Sequence, residues 1–231
     1  MERHLDEELK NLNTDLLTMA ALSEEAIHKS MEALKTRNKD LAKSVIENDQ
    51  RVDELENKIE EHAIEILALF QPMAKDLRFI TTGMRINTDL ERIADLAVNI
   101  SQRVLEIADM PHLKPLIDIP KLAENAKRMV KDAIDAFVKH DEEIAKNVIL
   151  SDKESNQLRT LIMQELIHSY MAKDASTVTR AVPLLLITRD LERISDHASN
   201  IAEEVIYMIE AKFVKHHPEE LKFLHKKTDN S

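Results

Sequence analysis

Two short acidic segments about a hundred residues apart carry the residue types best suited to chemistry in this chain. Each reads Asp-Leu-Glu-Arg-Ile-x-Asp and is followed by an asparagine one helical turn later, at residues 89–99 and 190–200. In both segments Glu, Asp and Asn are spaced i, i+4, i+8, which aligns them on one helix face, opposite the apolar seam. Oxygen ligands of this kind bind hard cations. The predicted metal-binding stripes comprise Glu91, Asp95 and Asn99 in the first half and Glu192, Asp196 and Asn200 in the second.

A second acidic pair precedes the first stripe. Asp49 and Asp53 are again one helical turn apart, on the helix before the one that carries the motif. In an antiparallel helix pair they would meet the first stripe across a shallow groove, where crowded carboxylates require cations such as Mg²⁺, Mn²⁺, Ca²⁺ or iron. The second half offers Asp152 but Asn156 at the corresponding positions. We therefore expect the second site to bind metal more weakly.

Two other interpretations of the acidic residues stay open. Because 32% of the residues are charged, carboxylates four residues apart also occur on ordinary solvated helix faces. Glu25 with His28, and Glu165 with His168, have the Glu-x-x-His spacing of carboxylate-bridged di-iron bundles. Glu25 and His28 point away from the apolar seam of their helix, whereas a di-iron centre needs inward ligands. His197 is either a surface histidine or a nitrogen ligand of the second site.

The elements that must position these residues are long helices. Apolar residues recur at alternating steps of three and four through six segments, which is the spacing of amphipathic helices. The segments break near residues 36–40, 71–76, 109–119, 139–142 and 171–178. Short connections between long helices make sequential neighbours antiparallel.

The chain is an internal repeat. Residues 86–107 and 187–208 align without a gap at an offset of 101 and share 11 of 22 residues, and the preceding helices align at an offset of 103. Three prolines lie between Met110 and Pro120 and mark a linker. The sequence therefore predicts an all-α protein of two tandem three-helix bundles. The predicted boundaries are 1–110 for the first bundle, 111–120 for the linker, 121–215 for the second bundle and 216–231 for a C-terminal tail.

Composition removes several classes of function. A single glycine, Gly83, excludes dinucleotide-binding and P-loop folds, and the absence of cysteine excludes disulfide scaffolds, thiolate zinc sites and cysteine nucleophiles. A formal net charge of -11 argues against nucleic-acid binding. Because the chain shows neither a signal-peptide core nor an apolar run long enough to span a bilayer, we expect a soluble cytoplasmic protein.

The two motif copies and their surroundings resemble the PhoU family of phosphate-uptake regulators. The likeness also includes the segment PMAKDLR at 72–78 and the segment DHASNI at 196–201, and it covers roughly residues 5–212. The chain departs from the family at Ala94 and Ser195, where glycine is common, and at Asn156, which replaces an acid. The last departure weakens the expectation of a fully occupied second site.

The resemblance implies a function and partners. It implies two pseudo-symmetric three-helix bundles and a cytoplasmic, non-enzymatic negative regulator of phosphate uptake and of the phosphate-starvation response. The expected partners are a phosphate-sensing histidine kinase and the ATP-binding-cassette phosphate importer, through which alone the protein would reach the membrane. Some family members carry multinuclear metal clusters on matching carboxylates, so iron, manganese or magnesium is expected here. We also expect a homodimer. The alternatives are a di-iron oxidoreductase and a helical scaffold without a ligand.

Overall fold

The computed structural model describes residues 2–212, and these residues form helices and turns without any strand. Seven α-helices follow one another along the described chain. A π-helical turn at Leu166–Met171 and a 3₁₀ turn at Ala175–Thr177 separate the last two of them. The helices are α1 (Glu2–Thr36), α2 (Lys39–Glu47), α3 (Asp49–Phe70), α4 (Lys75–Ile107), α5 (Asp118–Lys139), α6 (Glu142–Glu165) and α7 (Val178–Glu210).

The predicted helix breaks are present, and local chemistry accounts for them. Arg37, Gln71 and His140 adopt left-handed backbone conformations with φ near 50°, which stop α1, α3 and α5. The Asn38 side chain then caps α2 by accepting a hydrogen bond from the backbone N–H of Leu41. Asp141 caps α6 by accepting hydrogen bonds from the N–H groups of residues 143 and 144.

One predicted helix is in fact two. The apolar seam through Leu41, Asn48 and Leu69 was expected to lie on a single helix, but α2 ends at Glu47 and α3 begins at Asp49. The Asn48 side chain donates to the backbone carbonyl of Ser44 at 2.7 Å and so competes with the helical hydrogen bond of that carbonyl. The break starts a new helix at the first of the predicted metal ligands.

The two halves pack around a central pair of helices. α4 and α7 lie side by side, with α1, α2 and α3 packed on α4 and with α5 and α6 packed on α7. The pair is antiparallel, because Arg78 near the start of α4 donates to the carbonyl of Met208 near the end of α7, while Arg85 pairs with Glu204. The prediction of an all-α protein made of two repeated three-helix bundles is confirmed.

Equivalent positions of the repeat are equivalently buried. Ile93 on α4 and Ile194 on α7 are both fully buried, as the ungapped repeat predicts. Ser155, which interrupts the seam of α6, is also buried. Its hydroxyl accepts a hydrogen bond from Asn125 at 2.7 Å and donates one to Ser195 at 2.9 Å. A polar residue on a seam is therefore accommodated by a closed hydrogen-bond network.

The bounds of some predicted segments differ from those in the structure, and one predicted segment lies outside the described residues. α5 begins at Asp118, so Pro120, the last residue of the predicted linker, lies in its first turn. Pro183 lies within α7, in its second turn. The predicted tail at 216–231 lies outside the described residues. Among residues 2–212, every helix is too short or too polar to cross a membrane.

Candidate metal centre

The first carboxylate cluster forms between α3 and α4, as the sequence predicts. Burial, then the charges of Asp53 and Asp95, raises the pKa of Asp49. Burial, then the charge of Asp95, raises the pKa of Glu91 to about 7. Because the charge of Asp95 on α4 acts on Asp49 on α3, the two helices hold the two acidic pairs near each other. We name this group, with Glu56, the N-terminal cluster.

The N-terminal cluster contains more carboxylates than Arg92, its ion-pair partner, can neutralise. Arg92 Nε lies 3.3 Å from Glu91 Oε2, and Arg92 NH1 lies 3.2 Å from Asp95 Oδ2. Glu91 Oε2 is nevertheless buried and accepts no hydrogen bond. Because this buried oxygen has an ion contact with Arg92 but no hydrogen bond, its loss of water is only partly compensated, which favours an additional cation.

The second carboxylate cluster forms between α6 and α7. Burial, then the charges of Glu192 and Asp152, raises the pKa of Asp196 to about 6. Asn156 Nδ2 donates to Asp152 Oδ2 at 2.8 Å, and Arg159 Nε lies 3.1 Å from Glu192 Oε1. These five residues form the C-terminal cluster. Its carboxylates therefore already have an amide donor and a guanidinium as partners.

The two stripes are less exposed than the sequence predicts. Glu91 and Glu192 are mostly covered, although they lie opposite the apolar seams of their helices. The reason is that α4 and α7 are central helices with neighbours on nearly every side, so even their polar faces are half-buried beneath α3 and α6. Such partial burial strengthens electrostatic interactions in both clusters.

One residue of each cluster was missed. Glu56 contributes to the raised pKa of Glu91 in the N-terminal cluster, and Arg159 binds Glu192 in the C-terminal cluster. These two residues occupy the same position of the repeat, because the second helices align at an offset of 103. That alignment, extended by one turn beyond Asp53 and Asn156, would have found both.

One of the two motif asparagines, Asn200, takes part in a contact that the sequence did not predict. Asn200 Nδ2 donates to Asp89 Oδ1 across the α4–α7 interface at 3.4 Å, and His197 Nδ1 lies 2.8 Å from the same oxygen. The side chains of Asn200 and His197 thus take part in the contact between the bundles. Neither of the two interpretations of His197 predicted this contact. Asn99 is half-buried on α4, on the predicted face.

The acidic side chains of both clusters are oxygen donors, but these donors do not converge on one point in the described part of the chain. Among residues 2–212, no three His, Cys, Asp or Glu side chains come together closely enough to hold a metal ion. The donor set nevertheless fits a hard cation, because all the acidic groups are oxygen donors and buried oxygens of Glu91 and Asp152 accept no hydrogen bond.

The di-iron alternative lacks its ligands. Glu25 forms an ion pair with Lys29 at 2.6 Å, and His28 is exposed on α1. Glu165 pairs with Lys114, and His168 is exposed. The two Glu-x-x-His pairs therefore do not converge in one bundle, as such a centre requires.

Fold and site together define a class of protein. It is an all-α protein in which a three-helix bundle occurs twice, and each copy buries a cluster of polar and charged side chains between its last two long helices.

The chain belongs to the family defined by the PhoU domain. The family model matches it twice, at residues 16–104 and 119–205, which are the two repeats. The resemblance inferred from the duplicated motif is thereby confirmed.

Relatives and solved structures agree with this assignment. A phosphate-specific transport system accessory protein PhoU homolog from Aquifex aeolicus is 41% identical over 212 residues, covering 92% of this chain and 96% of the relative. PhoU from Pseudomonas aeruginosa superposes with a TM-score of 0.86 at 32% identity, covering 90% of this chain and 99% of that structure. The phosphate transport system regulatory protein PhoU from Streptococcus pneumoniae superposes with a TM-score of 0.85 at 26% identity, covering 91% and 99%.

Proposed function

We propose that this chain is a regulatory adaptor of phosphate transport, which restrains phosphate uptake and the phosphate-starvation response by binding partner proteins. The observation that carries the proposal is the match of the PhoU domain to both repeats, together with relatives named as accessory proteins of the phosphate-specific transport system. The proposed partners are a phosphate-sensing histidine kinase and the ATP-binding-cassette phosphate importer. The proposed setting is a cytoplasmic homodimer that reaches the membrane only through those partners.

We propose further that metal tunes the adaptor. The N-terminal cluster would hold iron, manganese or magnesium through Asp49, Asp53, Glu91 and Asp95, and the Glu56 carboxylate adds negative charge nearby. A bound cation would supply positive charge that relieves the repulsion among these carboxylates. In the C-terminal cluster, Asp152, Glu192 and Asp196 would bind metal more weakly, because Arg159 already neutralises part of their charge.

The test of the adaptor function is phosphate uptake in cells that lack the protein. Deletion should raise uptake of labelled phosphate under phosphate-replete conditions and should derepress the starvation response. Wild-type protein should restore repression. An unchanged uptake rate together with an unchanged starvation response would instead favour a scaffold without a regulatory role.

The metal part of the proposal has a separate readout. Cells supplied with the Glu91→Ala/Asp95→Ala variant should show whether repression depends on the N-terminal cluster. A variant that folds, fails to bind Mn²⁺ and still represses fully would remove metal from the mechanism while leaving the adaptor role intact.

A further inference from the structure

A groove crosses the junction of the two bundles beside the end of α7. It has a volume of about 520 Å³ and lies between residues of α1, α4, the end of α5 and α7. Its apolar wall includes Leu9, Phe79 and Val138, and Val138 is 45% exposed although it is apolar. Phe79 also stacks on Phe137 with a ring separation of 5.6 Å, so this wall is shared by both bundles.

The rim of the groove is basic in a chain that is acidic as a whole. Lys10 on α1 and Lys75 on α4 line it and are exposed, and the half-buried Asp76 is the one acidic residue of the described lining. Neither lysine forms an ion pair within the part of the chain whose side chains the structure describes, residues 4–212. The groove thus offers an apolar wall with two lysines beside it that are available to an acidic ligand.

The described chain ends at this groove. Met208 and Ile209 of α7 line it, and Ala211 then adopts a left-handed conformation with φ of 54°. A left-handed residue at a helix end turns the chain away from the helix axis, and the Ala211 N–H donates to the carbonyl of Tyr207 at 2.9 Å in that geometry. The described chain therefore leaves α7 beside the groove and ends at Lys212.

The sequence that follows is complementary to the groove. Glu219 and Glu220 stand before Leu221, Phe223 and Leu224, with Lys222 among these apolar residues. The two acidic residues match the basic rim, and the three apolar residues match the wall. Glu219 lies seven positions after Lys212, a length that can span roughly 23 Å when extended.

We propose that residues 213–224 of the same chain dock in this groove, with Glu219 and Glu220 at Lys10 and Lys75 and with the apolar residues against the wall. The tethered segment has a local concentration in the millimolar range, so even weak contacts are populated. Docked there, it contacts helices of both bundles and holds them in their present arrangement.

The absence of native cysteine provides a direct test in the full-length protein. Val138→Cys in the groove is combined with Lys222→Cys in the segment, and the rate of disulfide formation under a mild oxidant is measured. The matched control pairs Lys222→Cys with Leu150→Cys on α6, which is apolar, 65% exposed and not a groove residue. We expect the groove pair to form an intramolecular disulfide at least tenfold faster than the control pair.

Charge reversal tests how the segment is recognised. Lys10→Glu with Lys75→Glu should slow the cross-link of the groove pair about threefold, because two exposed ion pairs are each worth a fraction of a kcal/mol. Adding Glu219→Lys with Glu220→Lys should restore the rate, whereas Lys43→Glu with Lys153→Glu, at exposed lysines outside the groove, should leave it unchanged. Equal rates for the two cysteine pairs, disulfides formed only between chains, or rates indifferent to the lysine reversal would each overturn the proposal.

Discussion

Arg159 Nε lies 3.1 Å from Glu192 Oε1, which joins α6 to α7 inside the C-terminal cluster. The residue at the same position of the first repeat is Glu56, whose carboxylate helps to raise the pKa of Glu91. One repeat position thus adds a positive charge to one cluster and a negative charge to the other. The two clusters share a motif, but the N-terminal cluster has more uncompensated negative charge and should attract a cation more strongly.

Removing the motif carboxylates of the N-terminal cluster should remove the tighter class of metal sites. We expect wild-type protein to bind more than one equivalent of Mn²⁺ in calorimetry, and Glu91→Ala/Asp95→Ala to lose the tighter class with unchanged helix content. The control Glu61→Ala/Glu65→Ala removes an exposed acidic pair of the same spacing on α3 and should bind like wild type. If wild-type protein shows no saturable binding from micromolar to low-millimolar Mn²⁺, neither cluster is a metal site.

Exchanging the charge at the shared repeat position should change which cluster binds metal more tightly. Glu56→Arg should weaken Mn²⁺ binding at the N-terminal cluster about tenfold or more. The new guanidinium would supply the positive charge that the metal ion otherwise supplies. Arg159→Glu should strengthen binding at the C-terminal cluster. Glu60→Arg, one turn further along α3 and exposed, is the matched control. The electrostatic account is wrong if Glu56→Arg and Glu60→Arg bind Mn²⁺ equally well.

The raised pKa of Glu91 predicts a dependence of stability on pH in metal-free buffer. Its pKa is about 7 in the folded protein against 4.5 in an unperturbed chain. Between these two pH values Glu91 is therefore mostly protonated in the folded state and mostly ionised in the unfolded state. The free energy of unfolding should therefore fall as pH rises from about 5 to 8. Glu91→Gln should reduce that fall and stabilise the protein at pH 8 by about 1 kcal/mol, after allowance for solvent screening.

Urea unfolding at pH 5.5, 7 and 8.5 measures this effect. Glu65→Gln, at an exposed glutamate of α3, should follow the wild-type pH dependence. The same slope in Glu91→Gln and wild type would show that Glu91 is not the group responsible.

The polar contacts between α4 and α7 should couple the unfolding of the two bundles. Asp89→Ala removes the acceptor shared by His197 and Asn200 and should cost about 1–2 kcal/mol. Thr88→Ala, at an exposed neighbour, should have a small effect. We expect urea unfolding of Asp89→Ala to show a lower midpoint, and a midpoint equal to that of Thr88→Ala would mean that the contact contributes nothing to stability.

The sequence by itself determined the fold class and most of the N-terminal cluster. Apolar residues at steps of three and four dictate amphipathic helices, because the apolar face of each helix must be buried, and the repeat around Ile93 and Ile194 dictates that both halves bury the same face. The spacing of Asp49 with Asp53 and of Glu91 with Asp95 placed each pair on one helix face. Antiparallel neighbours then brought the two pairs together.

Only the tertiary structure decided how the polar faces are used. Helical periodicity specifies which way a side chain points from its own helix, but not which neighbouring residue it contacts. Asn200, for example, contacts Asp89 of the other bundle instead of the carboxylates of its own stripe. The central position of α4 and α7 likewise determines that Glu91 and Glu192 are half-covered. Burial and neighbouring charge depend on the helices packed nearby, so the raised pKa of Glu91 arises only when α3 packs on α4, and the ion pair of Arg159 forms only when α6 packs on α7.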